Sequence, residues 1–295
     1  MDRHAAGPAG GSLAGAVPRL TRRTWPLLVV SAAAATPMSA EPPTLAVTAV
    51  AADADLGLGG GGWEGVPAHP LTLAAPAHDA GAEPLEPGSF QLALRGGVLA
   101  LRVDLRDGDV ATLAGRDGEL LYRAGDLAEW FIGWPPTRSA GGELFPRRYL
   151  ELHVAPNGVR SAYRIDRPVL PEALAAPPFT AEVRVDGTLN DATDRDGGWS
   201  AAVFLPLEAL ARELPGWEPP PAGGGAGSPL TVLVSRINSS ATLPLRPGDG
   251  GGGPERTTWP PQPQPVFHLR PHHAPLAWPP PEGGSPAAED LQVTP

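Results

Sequence analysis

Cysteine is absent from this chain, so it can form no disulfide and offer no thiolate as nucleophile or metal ligand. That absence leaves the compartment open, because an exported protein need not carry disulfides. Lysine is absent too, and every cation apart from histidine is an arginine. Positive charge is scarce overall. A net charge of -10 argues against a nucleic-acid partner, whose phosphates need a basic surface. Met1 and Met38 are the only methionines. The chain shows no nucleophile elbow, no P-loop and no convincing metal motif, so no enzyme class is signalled. Beyond the N-terminal segment, no apolar run is long enough to span a bilayer as a helix.

Proline and glycine are abundant: 39 and 37 of 295 residues. Eight tryptophans and 42% apolar residues still suffice for a core, so we expect one sizeable domain plus poorly ordered segments. Arg19, Arg22 and Arg23 precede an apolar run from Trp25 to Ala35, and Met38-Ser39-Ala40 follows. Basic residues, then a short apolar run, then small residues describe an export signal over residues 1–40. The expected destination is the periplasm or the extracellular space. Residues 41–280 would form the domain, and 281–295 a disordered tail.

Strand signals are dense from Ser89 onward. Phe90 to Arg95, Gly96-Gly97, then Val98 to Leu105 reads as a hairpin with a two-glycine turn. Leu99, Leu101, Val103 and Leu105 share one face, and Arg102 and Asp104 the other. Strands are expected at 44–50, 127–133, 149–155, 159–165, 179–185, 197–206 and 230–236. Leu207 to Leu214 is the one convincing helix, about two turns long. Many short strands and almost no helix point to an all-β sandwich of two antiparallel sheets, jelly-roll or immunoglobulin-like.

Asp126 and Glu129 open an otherwise apolar strand. Carboxylates there are either structural ties, paired with Arg123, Arg147 or Arg148, or ligand contacts. As glycosidase acids they fail, because that chemistry needs two carboxyls about 5–9 Å apart across one bond. Trp130 alternates away from Glu129 into the core, whereas Trp134 follows Gly133 at the strand end and is freer to stack on a ligand. Trp63, Trp199 and Trp278 read as core, and Trp259 as packing or as the rim of a site. His268, His272 and His273 invite a metal reading, but Pro271 argues for a solvated turn. Asp186, Asn190, Asp191, Asp194 and Asp196 form an oxygen-rich loop that could hold a structural calcium or serve as ordinary turn chemistry.

Six segments, in order, carry a resemblance. They are Asp126-Leu-Ala-Glu129, Glu151 to Gly158, Gly198-Trp199 to Leu210, Val232 to Asn238, Trp259-Pro260-Pro261 and Phe267-His268. Together they resemble the family 9 carbohydrate-binding modules over roughly residues 41–278. The resemblance implies a non-catalytic β-sandwich that binds a sugar or glycan chain end between two aromatic rings. Rings stack on the C–H face of a pyranose while charged groups bond its hydroxyls. Glu129 matches the family's binding carboxylate, and Phe267 falls near its second aromatic. Arg123, with Tyr122 beside it, stands where the first aromatic is expected, and Glu151 where a binding arginine is expected. The expected ligand-binding residues are thus Glu129, Phe267, Arg123, Tyr122, Trp134 and Asp126. No cofactor is expected, and the partner would be a saccharide. Such a module could assist a separate glycoside hydrolase. The alternatives are a structural or interaction sandwich that lost the sugar site, or a haem-binding sandwich using His153 and His268.

Overall fold

The computed structural model describes residues 42–74, 83–138, 144–145, 148–166, 171–221, 227–239, 254–262, 267–268 and 270–280. The expected export signal and the expected tail lie outside these residues, as does Arg147. Residues from Ser39 onward form one unit, and everything below belongs to it. Strands of four residues or more are labelled in chain order. They are β1 Gly88–Arg95, β2 Val98–Leu105, β3 Leu127–Gly133, β4 Tyr149–Val154 and β5 Arg160–Ile165. Then come β6 Thr180–Asp186, β7 Gly198–Pro206, helix α1 Leu207–Glu213, β8 Thr231–Asn238, β9 Glu255–Trp259 and β10 Ala274–Ala277.

The smaller sheet has the order β6-β7-β2-β1. The hairpin β1–β2 closes with Arg95 opposite Val98, and Gly96 takes φ 55, a left-handed conformation that suits glycine. Strict alternation then decides the faces. Leu99, Leu101, Val103 and Leu105 are buried, while Arg102 donates to Asp104 at 2.8 Å on the outside. Gly198, which opens β7, has φ 130, and a Cβ there would collide with the Leu105 carbonyl of β2. α1 follows Pro206 and buries Leu207, Ala209 and Leu210.

The larger sheet has the order β10-β8-β3-β4-β5. β9 and β10 share one edge of β8: β10 pairs at Thr231 and Val232, and β9 from Val234 to Asn238. The core lies between the sheets. Ala128, Trp130 and Ile132 of β3 and Leu150, Leu152 and Val154 of β4 meet Phe90, Leu92, Leu101, Trp199 and Val203. Each large apolar side chain sealed this way contributes about 1.5–3 kcal/mol. Trp63 and Trp199 are buried as expected, and Trp278 packs partly buried against the core. Trp259 is likewise partly buried, its ring 5.2 Å from His69 and 5.5 Å from Phe90.

The sandwich is mixed rather than wholly antiparallel. All pairings among labelled strands are antiparallel, but Leu45–Ala46 runs parallel to β10 and Thr48–Ala49 parallel to β1. One extended segment therefore joins first the larger sheet and then the smaller, with Val47 buried between. It reaches both partners through long connections, not hairpins, so nothing forces the antiparallel direction.

Candidate functional site

Glu129 sits on the face of β3 turned away from the inter-sheet core. Leu127, Glu129 and Phe131 alternate with Ala128, Trp130 and Ile132, so the strand's period of two separates them. Register then gathers the neighbours. Glu129 lies opposite His153 of β4 and opposite Ser235 of β8, while Glu151 of β4 lies opposite Tyr163 of β5. This outer face is not left to solvent. Phe267, His268 and His273 stack edge-on against Phe131, with centroids 6.1, 5.6 and 5.8 Å away. A second apolar layer forms there from Leu127, Phe131, Tyr149, Tyr163, Leu233, Ile237 and Phe267.

A polar island is embedded in that layer. His153 Nε2 is 2.9 Å from Glu151 Oε1 and 3.4 Å from Glu129 Oε1. Ser235 Oγ donates to Glu129 Oε2 at 2.8 Å. His268 Nε2 stands 4.0 Å from Glu151 Oε2, and its Nδ1 bonds the Tyr149 hydroxyl at 2.7 Å. The His153 and Glu129 side chains are 0% and 3% exposed, those of Glu151 and His268 11% and 39%, so a ligand arriving from solvent meets Glu151 and His268 first. Burial pushes Glu129 up to about 7 against the pull of His153, with Glu151 adding to the rise. Burial opposes the charged forms of Glu151 and His153 as well, but their mutual hydrogen bond and charge win. Glu151 is held below its ordinary value and His153 above its own. Glu129, Glu151 and His153 each offer one donor atom, all within 4.8 Å of one another, the spacing of a metal-ligand set.

The expected binding residues divide into two groups. Glu129, Phe267 and Tyr122 belong to the outer layer together. Arg123 is exposed and sits over the Tyr122 ring at 5.2 Å. Trp134 packs instead against the inter-sheet core, so it does not meet them. Glu129 differs from expectation in one respect: at 3% exposed it faces His153 and Ser235 inside the layer rather than opening to solvent, on the face where Phe267, His268 and His273 stack on Phe131.

Asp126 is built as a structural tie. Its carboxylate accepts from the backbone N–H of Ala111 and of Ser239, both at 2.6 Å. The acidic loop before β7 does similar work. Asp196 accepts from Val110 N and Thr188 N, and Asn190 from Thr112 N. His153 and His268 do converge, but both turn Nε2 toward Glu151. Sequence reasoning did not single out the Glu151–His153 pair as a unit. The signal was present: Glu-Leu-His places the two side chains on one face of a strand.

A separate cleft of ≈ 770 Å³ opens at the end of the smaller sheet, beside Asp104, Arg184, Asp186 and Ser200. The one aromatic in its lining, Trp199, is 2% exposed and offers no ring face.

No protein-family model matches the sequence, and no curated protein is similar to it. Solved structures do match. A candidate carbohydrate-binding protein from Bacteroides uniformis aligns with TM-score 0.56 and 13% identity, over 79% of this chain and 98% of that one. The two share one fold. A family 9 carbohydrate-binding module from Caldicellulosiruptor kristjanssonii, solved with glucose, aligns at TM-score 0.44 and 10% identity over 82% of this chain and 99% of that one. A family 9 module from the same organism, solved with cellotriose, gives TM-score 0.41 and 11% identity over 85% and 98%. The likeness shown is one of fold, and the Bacteroides uniformis structure carries it. Among the described residues, no helix is long and apolar enough to cross a membrane.

Proposed function

We propose that this chain is an exported, non-catalytic saccharide-binding module whose ligand approaches the outer layer of the larger sheet. Glu151 and His268 stand at the mouth, Phe267 and Tyr122 supply rings, and Arg123 lies alongside. The observation that carries this reading is the convergence, on one sheet face, of two carboxylates, two imidazoles and several aromatic rings. A pyranose needs that combination, with an apolar ring for its C–H face and charged groups for its hydroxyls. The carbohydrate-binding character of structures with this fold adds support. A ligand would displace part of the layer formed by Phe267, His268 and His273 to reach Glu129.

The second reading is a sandwich that keeps the fold and binds no sugar. The depth of Glu129 and His153 favours it. A glycan array followed by calorimetry, run in chelator, separates the two. Under the first reading wild type retains a glycan; Glu151→Ala weakens it by about tenfold or more, the loss expected for a hydrogen bond to a charged group, and Phe267→Ala weakens it by removing a ring from the layer. If folded wild type retains no glycan, the second reading stands.

A further inference from the structure

We infer that Glu129, Glu151 and His153, with His268 as a fourth donor, form a binding site for one borderline divalent cation of the zinc type. The site shares its face with the saccharide reading but does not depend on it.

The first support is spacing. Zinc holds carboxylate oxygen and imidazole nitrogen at about 2.0–2.1 Å in a tetrahedron, so neighbouring donors lie about 3.3 Å apart. His153 Nε2 stands 2.9 Å from Glu151 Oε1 and 3.4 Å from Glu129 Oε1. Two edges of such a tetrahedron are therefore in place before any ion arrives. His268 Nε2, 4.0 Å from Glu151 Oε2, closes the set with a small rotation of an exposed side chain.

The second support is the shell behind the donors. Ligating groups are held by outer hydrogen bonds that fix their orientation and tautomer. Ser235 Oγ donates to the second oxygen of Glu129 at 2.8 Å, leaving Oε1 to the cluster. The Tyr149 hydroxyl bonds His268 Nδ1 at 2.7 Å, which leaves Nε2 turned toward Glu151. These two partners come from different strands and serve different donors, so the arrangement is not one fortuitous contact.

Charge is the third. Two carboxylates on a nearly dry face share one imidazole, and buried charge is costly unless it is matched. A divalent ion meets both carboxylates at once. The donor set also speaks to the kind of ion. Two oxygens and two imidazole nitrogens suit zinc or its first-row neighbours, whereas calcium wants six to eight oxygens.

The test uses the whole protein stripped with a chelator and titrated calorimetrically with Zn²⁺, Mn²⁺ and Ca²⁺ alone, with no sugar present. Wild type takes up one Zn²⁺ and binds Ca²⁺ about a hundredfold more weakly or less. Glu151→Gln, at the rim, weakens Zn²⁺ by about a hundredfold, and His268→Ala and Tyr149→Phe each by about tenfold. Co²⁺ substitution produces the visible absorption of a four-coordinate nitrogen–oxygen site, and Glu151→Gln abolishes it. Far-UV circular dichroism confirms the fold of each variant. Stripped, folded wild type that takes up no Zn²⁺, or Glu151→Gln that binds it as tightly as wild type, overturns the inference. Either result leaves the chelator-run glycan measurement untouched.

Discussion

Two buried carboxylate clusters lie along the same strand, β3, and they are built on opposite plans. At its start, Asp126 belongs with Asp107, Glu86 and Arg236. Arg236 is 1% exposed, donates to Asp107 at 2.9 Å and to the Glu86 carbonyl at 2.8 Å. Gly108 N and Asn238 Nδ2 hold the Glu86 carboxylate at 2.7 and 2.5 Å, and two more backbone N–H groups hold Asp126. Three residues further on, Glu129 and Glu151 share His153, and one serine hydroxyl donates to Glu129 alone. The first cluster carries its own guanidinium and spends its oxygens on backbone donors. The second, among the described residues, has no guanidinium in hydrogen-bond reach and turns one oxygen of each acid to a single imidazole. The first plan ties loops together, and the second leaves something for a ligand to do.

The comparison breaks most visibly at Arg236. Arg236→Ala leaves the buried Asp107 and the partly buried Glu86 without their cation, which costs about 3–5 kcal/mol. The urea midpoint should fall accordingly. If Arg236→Ala unfolds no earlier than wild type, the guanidinium is not what holds the first cluster.

Asp126→Ala comes next. It strips the acceptor from Ala111 N, which is partly buried, and from Ser239 N, which is exposed, so the loss falls at or below about 1–3 kcal/mol, the cost of one buried unpaired donor. Loss of stability with glycan and cation binding intact is the expected pattern. Loss of binding with stability intact would move Asp126 from tie to ligand contact.

This contrast shows what local sequence could and could not carry. Asp126 and Glu129 look alike on paper, two acids opening one strand. Their roles were set by partners 15, 106 and 113 residues away in sequence, which no local pattern contains. Alternation did its work wherever one face of a strand meets the core. The hairpin over 88–105 and the faces of Trp130 and Glu129 were all legible. What alternation cannot report is a third layer. It turns Glu129 outward, and outward normally means wet. Here Phe267, His268 and His273 return more than a hundred residues later to stack on Phe131, two residues along the same face. The same non-local packing drew Trp134 into the inter-sheet core, although its place after a strand-end glycine read as exposed. The crossing of residues 45–49 from one sheet to the other escaped for a related reason, since parallel edge pairing leaves no turn signal.

Acidity sharpens the contrast at intermediate size. Burial and the neighbouring Asp126 push Asp107 up to about 8, against the pull of Arg236. Asp126 is raised as well, chiefly by burial, and a hydrogen bond links the two carboxyls. Because the folded value of Asp107 lies above its unfolded one, its contribution is fully present below about pH 4. It is lost as pH rises toward about 8, at no more than about 1.4 kcal/mol per pH unit. Asp107→Asn cannot lose that proton, so its urea midpoint should fall less than that of wild type between pH 5 and 8. Parallel profiles for the two proteins would show that Asp107 is already ionised across that window.

The smallest effect belongs to the second cluster, and its smallness is the point. In chelator, Glu151→Gln should cost about 1 kcal/mol or less, unlike Arg236→Ala. The reason is redundancy. His153 keeps Glu129 at 3.4 Å when Glu151 loses its charge, and the amide oxygen of the new glutamine can still accept from Nε2. Glu151 is also the more exposed of the two acids, so less desolvation is at stake. Only the double variant Glu129→Gln with Glu151→Gln removes both acidic partners of His153. It should cost more than the sum of the singles, a coupling that a double-mutant cycle in urea reads directly. Additive losses would mean that each acid holds the layer together on its own, as Asp126 does. A cluster that tolerates the loss of either acid, yet not of both, has a donor to spare, and a spare donor is what a ligand site requires.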